Sequence, residues 1–160
     1  MRTYTHGLVG YLIYIKGTPE QRKLAVIGAM IPDLLVGIGF IFHYTGEAAW
    51  SDFLHYVFHR SPLHGVTEAL HSFVLIVPLL LGCMIFKKSW TPFFVGMASH
   101  AVLDLLTHQQ SAYNHFYPFD ITPFISPISY TNLPFTIIEH LIFVSLVAYL
   151  IWNYYRQKKN

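Results

Sequence analysis

The chain has 160 residues, 54% of them hydrophobic and 11% charged, with a formal net charge of +2 and a positive mean hydropathy. A soluble domain carries about 25% charged residues, so this composition excludes an ordinary water-soluble globule and points to an integral membrane protein. The near-neutral balance, without a basic stripe, excludes nucleic acid as a partner, and one cysteine, Cys83, excludes both an intrachain disulfide and a thiolate-rich zinc site.

The length suits one domain, residues 1–160, with no internal repeat and no polar linker. Polar residues precede a short apolar stretch at the N-terminus and no small-residue cleavage site follows, so the first segment is expected to stay on the protein. Apolar stretches run from Leu8 to Ile15, Leu24 to Phe42, Ala69 to Phe86, Pro92 to Thr107 and Thr136 to Trp152. A membrane span needs about 20 such residues, or ~17 at the short end. The expected fold is therefore all-α: a multi-pass transmembrane helical bundle of four to five segments. Pro32 and Pro78 inside these stretches favour kinked helices packed on one another.

Basic residues set the expected topology. Lys16, Arg22 and Lys23 fall in the first connection, Lys87 and Lys88 in the third, and Arg156, Lys158 and Lys159 in the tail, whereas the other two connections hold only Arg60. By the positive-inside rule the three clusters are cytoplasmic, and the N-terminus, residues 43–68 and residues 109–135 lie outside. His6, His71 and His108 then collect in the outer leaflet, joined by Asp33 at mid-span. Two expected outer loops are rich in aromatics: Trp50, Phe53, Tyr56 and Phe58 in one, and Tyr113, Phe116, Tyr117, Phe119 and Tyr130 in the other. They suit an interfacial belt or a lid over an amphipathic substrate. Four prolines between Pro118 and Pro134 predict an irregular loop.

The chemistry concentrates in the run from Ser99 to His108, where His100, Asp104 and His108 follow one another at four-residue steps in an apolar helix. An ionised carboxylate in a bilayer costs at least ~2.5 kcal/mol, so it needs a partner, and a metal ion suits this set. Residues four apart stand about 6 Å apart along one helix face, so His100 and Asp104 can reach a single ion. His108 is ~12 Å from His100 along the axis by the same geometry, and if all three are ligands Asp104 bridges two metals. Asp33 and His71 can complete the set. His64 is the reserve for His71, because Pro62 and Gly65 place it in a loop or at a helix start. His55 and His59 beside Asp52 form a second four-residue pair whose aromatic surroundings favour a solvated role. His43, His115 and His140 carry less, and Glu139 inside a span needs a partner of its own, such as a ligand histidine.

These residues also carry a resemblance. Thr5-His6 followed by Gly10, the Gly-Ala-Met-Ile-Pro-Asp run ending at Asp33, Leu70-His71-Ser72, Ser99-His100 to Asp104, Tyr117-Pro118-Phe119 and the Ser126 to Tyr130 stretch resemble the membrane-bound metal-dependent hydrolases of the YdjM type. That family is in turn similar to zinc-dependent phospholipase C, an all-helical fold with a His/Asp metal cluster. The resemblance implies His6, Asp33, His71, His100 and Asp104 as ligands. The chain departs from the pattern at Leu70, where Thr is common, and has no late His-x-x-x-Glu pair, Glu139 and His140 being adjacent.

The function expected from the whole is a hydrolase of the inner membrane with its C-terminus in the cytoplasm and its site facing outward. Its metal is one or two Zn²⁺ ions on His6, Asp33, His71, His100 and Asp104, with His108 as a further ligand; Mn²⁺ and Fe²⁺ suit the same nitrogen and oxygen donors. Asp33 and Asp104 are the expected catalytic carboxylates, and the expected substrate is a membrane lipid or lipid-linked phosphoester. The alternatives are a metal-binding membrane subunit or carrier, and a scaffold whose buried polar groups bond one another.

Overall fold

The computed structural model describes residues 1–43, 64–109 and 113–159. Among these the regular elements are all helical: α1 (Thr3–Ile13), α2 (Pro19–His43), α3 (His64–His71), α4 (Phe73–Phe86), α5 (Thr91–Thr107) and α6 (Leu133–Lys159), with a 3₁₀ turn at Lys88–Trp90. The histidine pair His55 and His59 with Asp52, the first aromatic loop, Arg60 and the side chain of His43 lie outside the described residues.

Local chemistry sets the breaks between helices. Ahead of α2, the Thr18 hydroxyl accepts from the Gln21 amide at 3.2 Å, and the Gln21 side chain accepts from the Thr18 amide at 2.9 Å. This reciprocal pair satisfies two otherwise orphaned donors, and Pro19 follows with its φ already helical. Between α3 and α4 the chain turns at Ser72, which is extended (φ −82°, ψ 122°), and its hydroxyl caps α4 by accepting from the Val74 amide at 3.2 Å. The two helices meet there at 54°, which aims His71 inward instead of along a continuous rod.

The core forms where α2 crosses α5. A Cβ on Gly28 would lie 1.9 Å from the Phe93 carbonyl oxygen, and one on Gly96 2.2 Å from that of Ala25, so the two backbones touch at a distance only glycine allows. Beside the crossing, Ile76, Met97 and Ala101 form a buried cluster flanked by Ile31, Leu70, Phe73, Phe93 and Phe94. The close approach puts the Ala29 carbonyl next to His100.

The span count expected from hydropathy is corrected by this packing. Among the described residues one helix is long and apolar enough to cross a membrane, Leu133–Arg156 within α6, and a second candidate exists only if the bent α3–α4 pair acts as one span. The chain is not a four-to-five-span bundle. Helix length supplies the reason. With 11, 14 and 17 residues, α1, α4 and α5 extend only about 16, 21 and 26 Å, short of a hydrocarbon core of about 30 Å. α2 is longer but carries Glu20, Arg22, Lys23 and Asp33 in its first fifteen positions. Instead of presenting lipid-facing rods, α1, α3 and α5 turn polar side chains toward one another, burying His6, His71, His100 and Asp104. The inside and outside assignments that assumed five crossings lose their basis with them.

By contrast α6 is apolar on nearly all sides, with Leu133, Ile138, Leu141, Val144 and Trp152 all exposed. Among the described elements it packs mainly on α1. Glu139, buried in α6, is paired with the Arg2 guanidinium, which also donates to the Thr136 hydroxyl at 3.1 Å; its expected role beside a ligand histidine is replaced by this ion pair. The Tyr4 hydroxyl reaches Nε2 of His140 at 2.8 Å, completing the attachment of α1 to α6.

Candidate metal centre

Asp104, fully buried on α5, is the hub of a ring of imidazoles. Its Oδ2 lies 3.1 Å from Nε2 of His100, one turn earlier on the same helix, and 3.6 Å from Nε2 of His71 at the end of α3. Its Oδ1 lies 3.0 Å from Nε2 of His6 on α1, 3.4 Å from Nδ1 of His108 and 2.8 Å from the Met1 amino nitrogen. Asp33 on α2 comes within 3.7 Å of Nε2 of His100 through Oδ1, while its Oδ2 accepts from the Thr3 hydroxyl at 2.7 Å.

Backbone carbonyls fix the tautomers. Nδ1 of His71 lies 2.8 Å from the Thr67 carbonyl and Nδ1 of His100 lies 2.7 Å from that of Ala29. A carbonyl only accepts, so each Nδ1 carries the hydrogen and each neutral ring presents a lone pair at Nε2. Those two nitrogens are 3.1 Å apart. Together with one oxygen each from Asp33 and Asp104 they form a set of four acceptors, all within 4.8 Å of one another. Four lone pairs converging in a buried pocket repel unless a positive charge sits among them. A tetrahedral zinc site with bonds of 2.0–2.1 Å has ligand-to-ligand edges of about 3.3 Å. Four of the six ligand-to-ligand distances, 3.1, 3.1, 3.6 and 3.7 Å, bracket that value and all six stay within 4.8 Å, so the donor set suits a divalent cation.

The electrostatics follow from burial and neighbours. Burial works to raise the Asp104 carboxyl, but the surrounding imidazoles of His100, His6 and His71 outweigh it and hold the group well below the usual carboxylate range. Burial works to lower His100, yet the Asp104 and Asp33 carboxylates raise it above its ordinary value. Burial lowers His6, and it pushes His108 down to about 4. The Tyr113 ring stacks on His71 at 3.6 Å and limits its movement.

All six residues expected as ligands from the sequence are thus brought to one place, although the compact four are Asp33, His71, His100 and Asp104. His108 ends α5 and folds its Nδ1 back to the Asp104 carbonyl at 3.1 Å, which commits that nitrogen as a donor. His64 lies at the start of α3, 3.9 Å from Glu68 and outside the four-residue cluster. Of the two expected catalytic carboxylates, Asp104 is enclosed, whereas the Asp33 side chain keeps 18% of its surface and marks the accessible side.

The sequence reading gave little weight to His115 and did not single out Glu68, Thr3 or Arg2. His115 is buried and donates from Nδ1 to the His71 carbonyl at 3.0 Å, and the Glu68 carboxylate accepts from the Asn114 amide at 2.7 Å. These contacts, with the Ser126 amide on the His108 carbonyl at 3.1 Å and the Tyr130 amide on that of Thr107 at 3.0 Å, pin both ends of the 113–132 loop to the helices that carry the His/Asp cluster. Glu68 four residues after His64 and three before His71 was the available signal.

Over its whole length, residues 1–160, the chain matches the family model described as YdjM inner membrane protein, and it belongs to that family. No curated protein and no solved structure matches it.

Proposed function

We propose that this member of the YdjM inner membrane protein family is a metal-dependent hydrolase, similar in chemistry to phospholipase C, that cleaves a phosphoester of a membrane lipid. The observation that carries the proposal is the buried convergence of four acceptors, Asp33, His71, His100 and Asp104, with the histidine tautomers fixed by backbone carbonyls. Zn²⁺ suits an all nitrogen and oxygen donor set of this spacing. Bound there, such an ion polarises a phosphoryl oxygen and lowers the pKa of a water toward ~7.

The chain's own residues divide the remaining work. Asp104 and the two histidines are enclosed and hold the cation. Asp33, on the open side, completes the ligand set through Oδ1 and, through the Oδ2 that Thr3 orients, takes the proton from the attacking water. Water adds to phosphorus, the bond from phosphorus to the lipid alkoxide breaks, and the alkoxide leaves with one proton. The lipid assignment draws on the loop that is tied to this site and leads into α6. It exposes Phe116, Phe119, Ile121, Phe124, Ile125 and Ile128 within thirteen residues. Exposed apolar side chains continuous with a spanning helix suit the boundary between headgroups and acyl chains.

The test is hydrolysis of phosphatidylglycerol and phosphatidylethanolamine in mixed vesicles by zinc-loaded protein. Diacylglycerol should be released by wild type and reduced at least 100-fold in Asp33→Asn with its zinc retained. Zinc-loaded protein that cleaves neither lipid nor any soluble phosphoester overturns the proposal.

A further inference from the structure

We infer that the chain carries a second binding site, remote from the His/Asp cluster, that takes the phosphate of an acidic membrane lipid. The site is an open cavity of about 390 Å³ between the α1–α2 turn and the α4–α5 turn, lined by Tyr14, Gln21, Met84, Lys88, Thr91 and Pro92. Such a volume accepts a glycerophosphate headgroup. Thr91 begins α5 and Asp104 lies 13 positions further along it, so about 20 Å of helix separates the cavity from the cluster. The two sites are therefore distinct, and this one stands without the hydrolase reading.

The lining chemistry selects an anion. Lys88 supplies an ammonium, which only donates, and it makes no ion pair among the described residues. The Gln21 side-chain oxygen already accepts from the Thr18 amide at 2.9 Å, so what that side chain still offers is its NH₂ donor. Tyr14 and Thr91 add hydroxyls, and the Thr91 oxygen has no hydrogen-bond partner. No carboxylate is among the described lining residues. α5 starts at this wall without a side-chain cap, so the positive end of its dipole adds to the field. The two turns that form this end carry Lys16, Arg22, Lys23, Lys87 and Lys88 against one acid, Glu20. Arg22 is committed to the Ile15 and Gly17 carbonyls, at 3.1 and 2.9 Å, and so braces the turn beside Tyr14. The neighbours of the cavity favour a lipid as the source of the phosphate. Just before the two lysines the chain exposes Ile85 and Phe86, at 69% and 86% of their surface, and Trp90 follows with the Lys87 ammonium 5.8 Å from its ring centroid. Apolar side chains, a tryptophan and lysines gathered at one turn suit the boundary between acidic headgroups and acyl chains.

Lipid titration provides the test. Full-length protein in detergent, kept in chelator so that no cation at the Asp104 cluster engages phosphate, is titrated calorimetrically with dioctanoyl phosphatidylglycerol, dioctanoyl phosphatidylcholine and inorganic phosphate. Wild type should bind one phosphatidylglycerol per chain, at least about 10-fold more tightly than either of the others. Lys88→Gln should weaken that binding by about 10-fold or more, because it removes the charged donor in the cavity. Lys23→Gln removes the same charge from the same end but outside the cavity, and should leave binding within about twofold. Both lysines are exposed, so neither substitution disturbs the core. Equal binding of the two lipids, or equal losses in the two lysine variants, overturns the site and leaves detergent partitioning or diffuse charge. Inorganic phosphate that binds as tightly as phosphatidylglycerol, with the same dependence on Lys88, overturns the lipid and assigns a soluble phosphate.

Discussion

Replacing Gly28 by alanine should damage the metal centre without touching a ligand. The added Cβ would lie 1.9 Å from the Phe93 carbonyl oxygen, where real contacts do not fall below 3.0 Å, so α2 and α5 must separate by about 1 Å at this crossing. The next residue, Ala29, holds the carbonyl that fixes His100 through a 2.7 Å hydrogen bond, and an opening of that size stretches the bond beyond a useful length. Overpacking costs about 1–3 kcal/mol and the lost hydrogen bond about 1 kcal/mol, which lowers the melting temperature by roughly 5–10 °C. Releasing the partner of a ligand histidine should weaken metal affinity by about 10–100-fold. Gly82→Ala is the matched control: a Cβ there meets nothing within 4 Å, and removing glycine from a helix interior adds up to ~1 kcal/mol of stability. Thermal unfolding in detergent and chelator-competition titration measure both quantities. Equal melting temperatures and equal metal affinities for the two variants would refute the argument.

Three further outcomes are expected. In metal-free protein, His108 is buried neutral, with its pKa lowered from 6.5 to about 4, so the unfolded chain binds the proton more readily between those values. Its contribution to stability is complete above pH 6.5 and is lost as pH falls toward 4; His108→Gln should flatten that part of the stability profile measured by chemical denaturation, while the Asp104 contribution is lost only at lower pH. Arg2→Ala leaves the buried Glu139 carboxylate in α6 without its counter-ion, with only the residue-2 backbone amide donating to Oε1, and should destabilise by up to about 3 kcal/mol, whereas Arg2→Ala with Glu139→Gln should recover much of the loss; equal melting temperatures for the single and double variants would contradict the ion pair's role. His71→Gln should abolish tight zinc binding and His64→Gln should leave it within about threefold, as read by equilibrium dialysis.

Hydropathy and spacing made part of this architecture readable. The four-residue step from His100 to Asp104 placed both on one helix face, and the structure brings their ligand atoms to 3.1 Å. The turn after His71 was less visible, because a lone serine in an apolar run does not by itself announce a 54° bend. Counting spans failed for a physical reason: an apolar window does not show where a helix ends, and α1, α4 and α5 stop after 11, 14 and 17 residues. Long-range pairs were equally hidden. Nothing local indicates that Glu139 is answered by Arg2, 137 positions away, or that His6 faces Oδ1 of Asp104. Regular spacing drew attention to His108 as the bridging partner, but the end of α5 turns its Nδ1 onto a carbonyl.

The central claim, that Asp33, His71, His100 and Asp104 hold a divalent cation, is tested most directly by elemental analysis of protein purified in detergent without chelator. Wild type, His100→Gln and Asp104→Asn are compared after each is shown to be folded by circular dichroism. At least one zinc or other divalent ion per wild-type chain, retained through gel filtration and lost from both variants, is the predicted result. Folded wild-type protein that carries no metal and takes up none from a zinc buffer would contradict the claim and leave the cluster as a hydrogen-bonded scaffold.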